Sequence, residues 1–141
     1  MDADGQVTPE DDLTISGEME VLRRVHPDFI KPITGEPDRS VFKNDPGGVG
    51  TSVTLWTSPA DLRTVIGDQN HVGIVSITVA ALRTHGLGIV FTFEDGNPNH
   101  CEVFGPRTKG KLGQIRAATR WVRYPTGYPE ELKIPLHTKF E

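Results

Sequence analysis

Much of what makes an interior or a cofactor site easy to recognise is scarce in this chain. Its 141 residues hold one cysteine, Cys101. A single thiol excludes an internal disulfide framework and a cysteine-rich zinc site. No apolar run approaches the roughly 20 residues that a membrane-crossing helix requires. The five histidines, His26, His71, His85, His100 and His137, show neither H-x-H nor H-x-x-x-H spacing, so no local metal motif is present. Aromatic residues make up 7% of the chain, little material for a platform on which bases stack. The first twenty residues contain no Lys or Arg, and such an acidic, polar start is not a secretory signal. These absences lead us to expect a cytoplasmic protein without membrane contact and without a cofactor.

What the chain does have is turn formers and a divided charge. Glycine and proline together number 26, which favours short elements joined by many turns. Seven acids, Asp2, Asp4, Glu10, Asp11, Asp12, Glu18 and Glu20, fall in the first twenty residues. The rest of the chain keeps 15 basic and 12 acidic side chains, so a mildly basic body follows an acidic start. Residues 1–17 offer almost nothing to bury and are expected to be disordered. Residues 18–124 form the expected globular domain. Residues 125–141, with Pro125, Pro129 and Pro135, read as an extended tail on its surface.

Within the body, Met19–Val25 alternates as a strand and is stopped by His26-Pro27, because proline has no N–H for the ladder. Residues 27–50 read as a long loop with a short extended piece at Arg39–Phe42. Thr51–Trp56, His71–Ile77, Leu87–Phe93 and His100–Phe104 read as strands, rich in β-branched residues. The last two flank Glu94-Asp-Gly-Asn-Pro-Asn99 and should pair as a hairpin. Ser58-Pro59, with Asp61 in the first turn, marks a helix start, and Gly67 its end. Thr78 can cap a short helix over Val79–His85. Leu112, Ile115, Thr119 and Val122 are spaced as the buried stripe of a helix over Thr108–Val122. The expected fold is a single small α+β domain, with a mixed or antiparallel sheet of about five strands and two or three short helices.

Three patterns bear on chemistry. Gly105-Pro-Arg-Thr-Lys-Gly-Lys111 has the first seven positions of a phosphate-binding P-loop between a strand and a helix. Leu112 stands where the motif needs Ser or Thr for magnesium, which leaves at most a simpler anion-binding loop. Arg107, Lys109, Lys111, Arg116, Arg120 and Arg123 form a run with no acid among them. On one helix they would make a basic stripe for an acidic partner, a phosphate ligand or a nucleic acid. The same run also fits a solvated helix face. Cys101 lies beside His100, but neighbours on a strand point to opposite faces, so the histidine cannot easily activate it; a buried, inert thiol is expected.

A further pattern is an order. Arg23 or Arg24, then Thr51 and Ser52, then Glu102 follows the Arg, Ser/Thr, Glu order of ADP-ribosyltransferase-like folds, which it resembles. That resemblance implies Arg24 on NAD phosphates, Ser52 supporting the strand and Glu102 orienting the attacked ribose. The chain departs from the pattern at residue 100, which is His where those folds carry Glu or Gln. Separately, Val21-Leu-Arg-Arg-Val-His-Pro27, Arg39-Ser-Val-Phe-Lys43 and Asn97-Pro-Asn-His-Cys-Glu-Val-Phe-Gly105 resemble small bacterial domains of uncharacterised function, over most of residues 20–123. Some orphan domains of that kind belong to mobile-element or conflict systems. The resemblance implies one compact domain and no particular activity. The expectation is a non-enzymatic binding or accessory domain contacting a protein partner through 107–123. An enzyme using Arg24, Ser52 and Glu102, or a nucleic-acid module, is the alternative.

Overall fold

In the computed structural model, which describes residues 10–43, 50–92 and 94–140, strands come first and helices are inserted between them. The strands are β1 (Glu20–Val25), β2 (Thr51–Leu55), β3 (Gly73–Thr78), β4 (Gly88–Phe91), β5 (His100–Phe104) and β6 (Arg120–Arg123). The helices are α1 (Pro59–Ile66), α2 (Val79–Thr84) and α3 (Lys109–Ala117), with 3-10 turns at Pro27–Phe29, Arg39–Phe42 and Glu130–Leu132. All six strands join one antiparallel sheet in the order β4-β5-β2-β1-β3-β6. The α+β expectation holds, with one strand more than was counted.

Alternation along the strands sorts side chains onto two faces. One face carries Val21 and Val25, Val53 and Leu55, Val75 and Ile77, Ile89, Cys101, Val103 and Trp121. Val79 and Leu82 of α2 and Leu112 and Ile115 of α3 cover it, together with Ile15, Val41, Phe42 and Tyr128. The other face has a much smaller apolar cluster of Leu22, Ile74, Val122, Trp56 and Val65, the last from α1. Leu62, Ile66 and Phe140 pack against that cluster. The sheet is thus sandwiched, with α2 and α3 on one side and α1 on the other.

Three expectations need correction. The helix read over Thr108–Val122 ends at Ala117, and Arg120–Arg123 is an edge strand paired with β3. Thr119, Trp121 and Val122 favour strand geometry, and pairing with β3 outweighs a helical spacing that Gly110 and Gly113 already weaken. Arg39–Phe42 is a 3-10 turn rather than an extended piece, because Asp38 accepts the Ser40 N–H at 2.8 Å and caps it. Residues 10–17, expected to lie outside the domain, are packed onto it. Ile15 is 3% exposed, Arg83 Nε pairs with Asp11 at 2.9 Å, and Asp12 N donates to Ile89 O at 2.8 Å. Residues 1–9 of that expected disordered segment lie outside the described residues.

The 125–141 segment does not simply trail away. His137 N donates to Trp121 O at 2.8 Å, and Phe140 meets the Trp56 ring edge-on at 5.8 Å. The outer strands β4 and β6 therefore each receive backbone bonds from a terminal segment. Among the described residues no helix is long and apolar enough to cross a membrane.

Candidate functional site

The sheet's smaller-cluster face is only half apolar, and the other half is an open polar cleft. Register explains the division. Leu22, Thr54 and His100 stand opposite one another across β1, β2 and β5, and Ser52 stands opposite Glu102. The β1–β2 ladder runs through Val21–Leu55 and Leu22–Thr54. Past it, the Arg23 side chain takes over, donating to Ser52 O at 2.8 Å and to Val41 O at 2.9 Å. Arg23 is thereby part of the framework. Arg24, its neighbour, faces the opposite way and lines the cleft.

That cleft has a volume of about 460 Å³ and polar walls. Ser52 and Thr54 supply hydroxyls from its floor, Thr64 from the α1 side, and Glu94, Asn97 and His100 from the β4–β5 hairpin. Leu22 and Val65 form its border with the apolar cluster. Arg24 is exposed and makes no side-chain bond among the described residues.

The hairpin is held over the cleft by a chain of hydrogen bonds. Asn97, 8% exposed, donates from Nδ2 to Thr54 Oγ1 at 3.0 Å. Asn99 donates from Nδ2 to Asp61 Oδ1 at 2.8 Å. The other Asp61 oxygen accepts the Thr57 and Ser58 N–H groups at 2.7 and 2.9 Å and the Thr57 hydroxyl at 2.8 Å, closing the start of α1. Burial by itself would raise the Asp61 pKa. The bonds from Asn99, Thr57 and Ser58 outweigh it and hold the carboxyl below its ordinary value. The helix start read from Ser58-Pro59 and Asp61 is therefore also the clamp of the hairpin.

His100 is positioned by both ring nitrogens. Nε2 lies 3.1 Å from Glu94 Oε2, and Nδ1 lies 2.7 Å from Thr92 Oγ1. A ring engaged at both ends fixes the hairpin and is not free to serve as a base. Cys101, next to it, points to the opposite face, into the larger apolar cluster. Burial pushes its thiol up to about 12, which removes it as a nucleophile at neutral pH.

The structure brings Arg24, Ser52 and Glu102 onto one face of three adjacent strands. Arg24 and Ser52 line the cleft, and Glu102 stands one strand further out, outside its lining. Glu102 is half-buried and, like Arg24, makes no side-chain bond among the described residues. Thr51 points to the other face, where its hydroxyl donates to Phe42 O and Lys43 O at 3.1 and 2.7 Å. Thr54, Thr64, Glu94, Asn97 and His100 were not expected together. The alternation of Ser52 and Thr54 along β2 was the available signal, but pairing partners are not written in a single strand.

The basic run is divided by the fold. Arg107 folds back onto Val103 O and Gly105 O. The Thr108 hydroxyl caps α3 by accepting the Lys111 N–H at 3.2 Å, filling the helix start that an anion-binding loop would leave open. Arg123 donates to Val72 O and Asn70 O at 3.2 and 2.7 Å. Arg120 approaches His137 Nδ1 at 3.4 Å, and Arg116 faces Glu36 at 3.4 Å. Lys109 is exposed and Lys111 half-exposed at the start of α3. The six charges are thus spread over a loop, a helix and an edge strand, and no single helix face carries them.

Comparison of the chain with family models, with curated proteins and with solved structures finds no match.

Proposed function

We propose that this chain is a binding domain for a small polar ligand that carries an anionic group, taken up in the cleft between α1 and the β4–β5 hairpin. The observation that carries this reading is Arg24. It is a charged side chain with no bond among the described residues, at a 460 Å³ cavity walled by hydroxyls, an amide, an imidazole and the Glu94 carboxylate. Ligand sites are usually concavities of about 300–1,000 Å³ with a few convergent polar groups. An arginine offers several N–H donors to an oxyanion, and the neighbouring hydroxyls add direction. The expectation of an anionic ligand is kept, while its location moves from 107–123 to the sheet face. A protein partner or nucleic acid bound through Lys109 and Lys111 has less support, because Arg107 and Arg123, two of the six basic residues, are tied to backbone carbonyls.

Thermal shift with phosphate, pyrophosphate, nucleoside phosphates and NAD tests the reading, since a ligand that binds only the folded chain raises the midpoint. At least one anion should stabilise the wild-type chain, and Arg24→Gln should weaken it about tenfold or more. An unchanged midpoint shift in Arg24→Gln would exclude the cleft as the site.

A second reading is favoured by one observation, the placing of Arg24, Ser52 and Glu102 in a row across β1, β2 and β5. That is the arrangement an ADP-ribosyltransferase-like site needs, with Glu102 acting on the bound ribose. His100 in place of the usual acid or amide counts against it. Release of nicotinamide from NAD, lost in Glu102→Gln while NAD still binds, would support it. No release under any condition leaves binding alone.

A further inference from the structure

A second arginine is left in an unusual state. Arg116 leaves α3 with its side chain 20% exposed, and its Nε is buried without a hydrogen-bond partner. Its contact among the described residues is a loose ion pair, Nε to Glu36 Oε2 at 3.4 Å, and that carboxylate is 46% exposed on a loop. A buried guanidinium N–H without an acceptor is costly, and folded proteins rarely tolerate one without a compensating group.

The arginine borders a groove of about 260 Å³ on the side of the molecule away from the cleft's hairpin. Trp121 and Tyr128, 9% and 8% exposed, contribute its aromatic wall, and Leu132 and Ile134 line it from the 125–141 segment. The wall is fixed in place. The Tyr128 hydroxyl donates to Gly35 O at 2.8 Å, and Trp121 and Tyr128 meet edge-to-face at 5.4 Å between ring centres. Gly35 has φ +73°, and a Cβ there would collide with the Tyr128 hydroxyl, so only glycine permits this approach. Ile134 remains 64% exposed, which leaves the groove open.

We propose that this groove binds a small apolar monocarboxylate, its carboxylate on Arg116 and its hydrocarbon or aromatic body against Trp121, Tyr128, Leu132 and Ile134. Glu36 occupies the arginine as an internal substitute and is displaced by the ligand. Charge complementarity selects the acid, and the volume limits it to fragment size, just below ordinary ligand pockets. This site is independent of Arg24 and of the cleft.

The test is titration of the full chain with 4-phenylbutyrate and with its neutral amide, 4-phenylbutanamide, followed by the NMR signal of the Arg116 Nε–H and by calorimetry. The acid should bind at least about tenfold more tightly than the amide, because only the acid gives a charge-assisted bond. Arg116→Gln should lose that preference. Glu36→Gln should tighten the acid several-fold by removing the competitor, and this variant guards against a folding defect in Arg116→Gln. Arg24→Gln should change nothing, which separates this site from the cleft. Equal affinity for acid and amide, no acid binding by either the wild-type chain or Glu36→Gln, or no effect of Glu36→Gln would each overturn the proposal.

Discussion

The two faces of the sheet divide the labour of the molecule. One carries an apolar cluster of nineteen buried residues under α2 and α3. The other carries five buried apolar residues under α1 and gives the remaining area to hydroxyls, Arg24 and the hairpin. Burial of apolar surface is the dominant favourable term in folding, so stability is concentrated on the first face. The second face can therefore leave Arg24 and Glu102 without internal partners at little cost to the fold. A sheet covered in dry side chains on one side is what lets the other remain wet.

That contrast can be broken from the dry side first. Ile115→Ala, at a fully buried site, should cost about 3 kcal/mol, within the range of large-to-small core changes, measured by urea denaturation. Labelling of Cys101 gives a parallel readout. The native thiol should resist alkylation at pH 8 and become reactive in the variant as unfolding grows more frequent.

A smaller effect is expected at the seam, where Asp61 joins α1 to the hairpin. Asp61→Asn should cost about 2 kcal/mol, from loss of the helix cap and its charge-assisted bonds. The folded Asp61 carboxyl titrates below its unfolded value, so its contribution is complete above the ordinary carboxylate pKa. It is lost as pH falls through the lower, folded value. The stability gap between wild type and Asp61→Asn should therefore be constant at neutral pH and close in acid. A gap independent of pH would mean that the carboxylate charge is not what holds the seam.

The smallest stability effects belong to the wet side. Arg24→Gln and Glu102→Gln should each shift stability by no more than about 0.5 kcal/mol, the usual range for surface positions, even where they abolish ligand binding. A loss of 2 kcal/mol in either would show that these side chains serve the fold, and the division between faces would fail.

How much of this was legible in the sequence follows from the range of each interaction. Signals confined to neighbours were readable. Ser58-Pro59 with Asp61 gave the start of α1, and Glu94–Asn99 gave the hairpin turn between β4 and β5. Signals that depend on a distant partner were not. Thr119–Val122 suits a helix by spacing and a strand by composition, and only β3 lying alongside decides for the strand. Asp11 looks like one more solvated acid until Arg83 is placed beside it. The cleft was legible in part. Arg24, Ser52 and Glu102 could be picked out in order, but their sharing of a face depends on registers between three strands. The basic run misled for the same reason, since Arg107 and Arg123 find backbone carbonyls that no local pattern reveals.

The terminal segments on the outer strands have a consequence for the behaviour of the protein in a crowded solution. A strand at the rim of a sheet is a template onto which a strand from another molecule can add, and repeated addition leads to aggregates. Here Ile89 of β4 exchanges bonds with Asp11 and Asp12, and Trp121 of β6 accepts one from His137. Each rim is thus occupied by the chain's own backbone or an acidic side chain. The segments that supply these bonds act as guards against self-association.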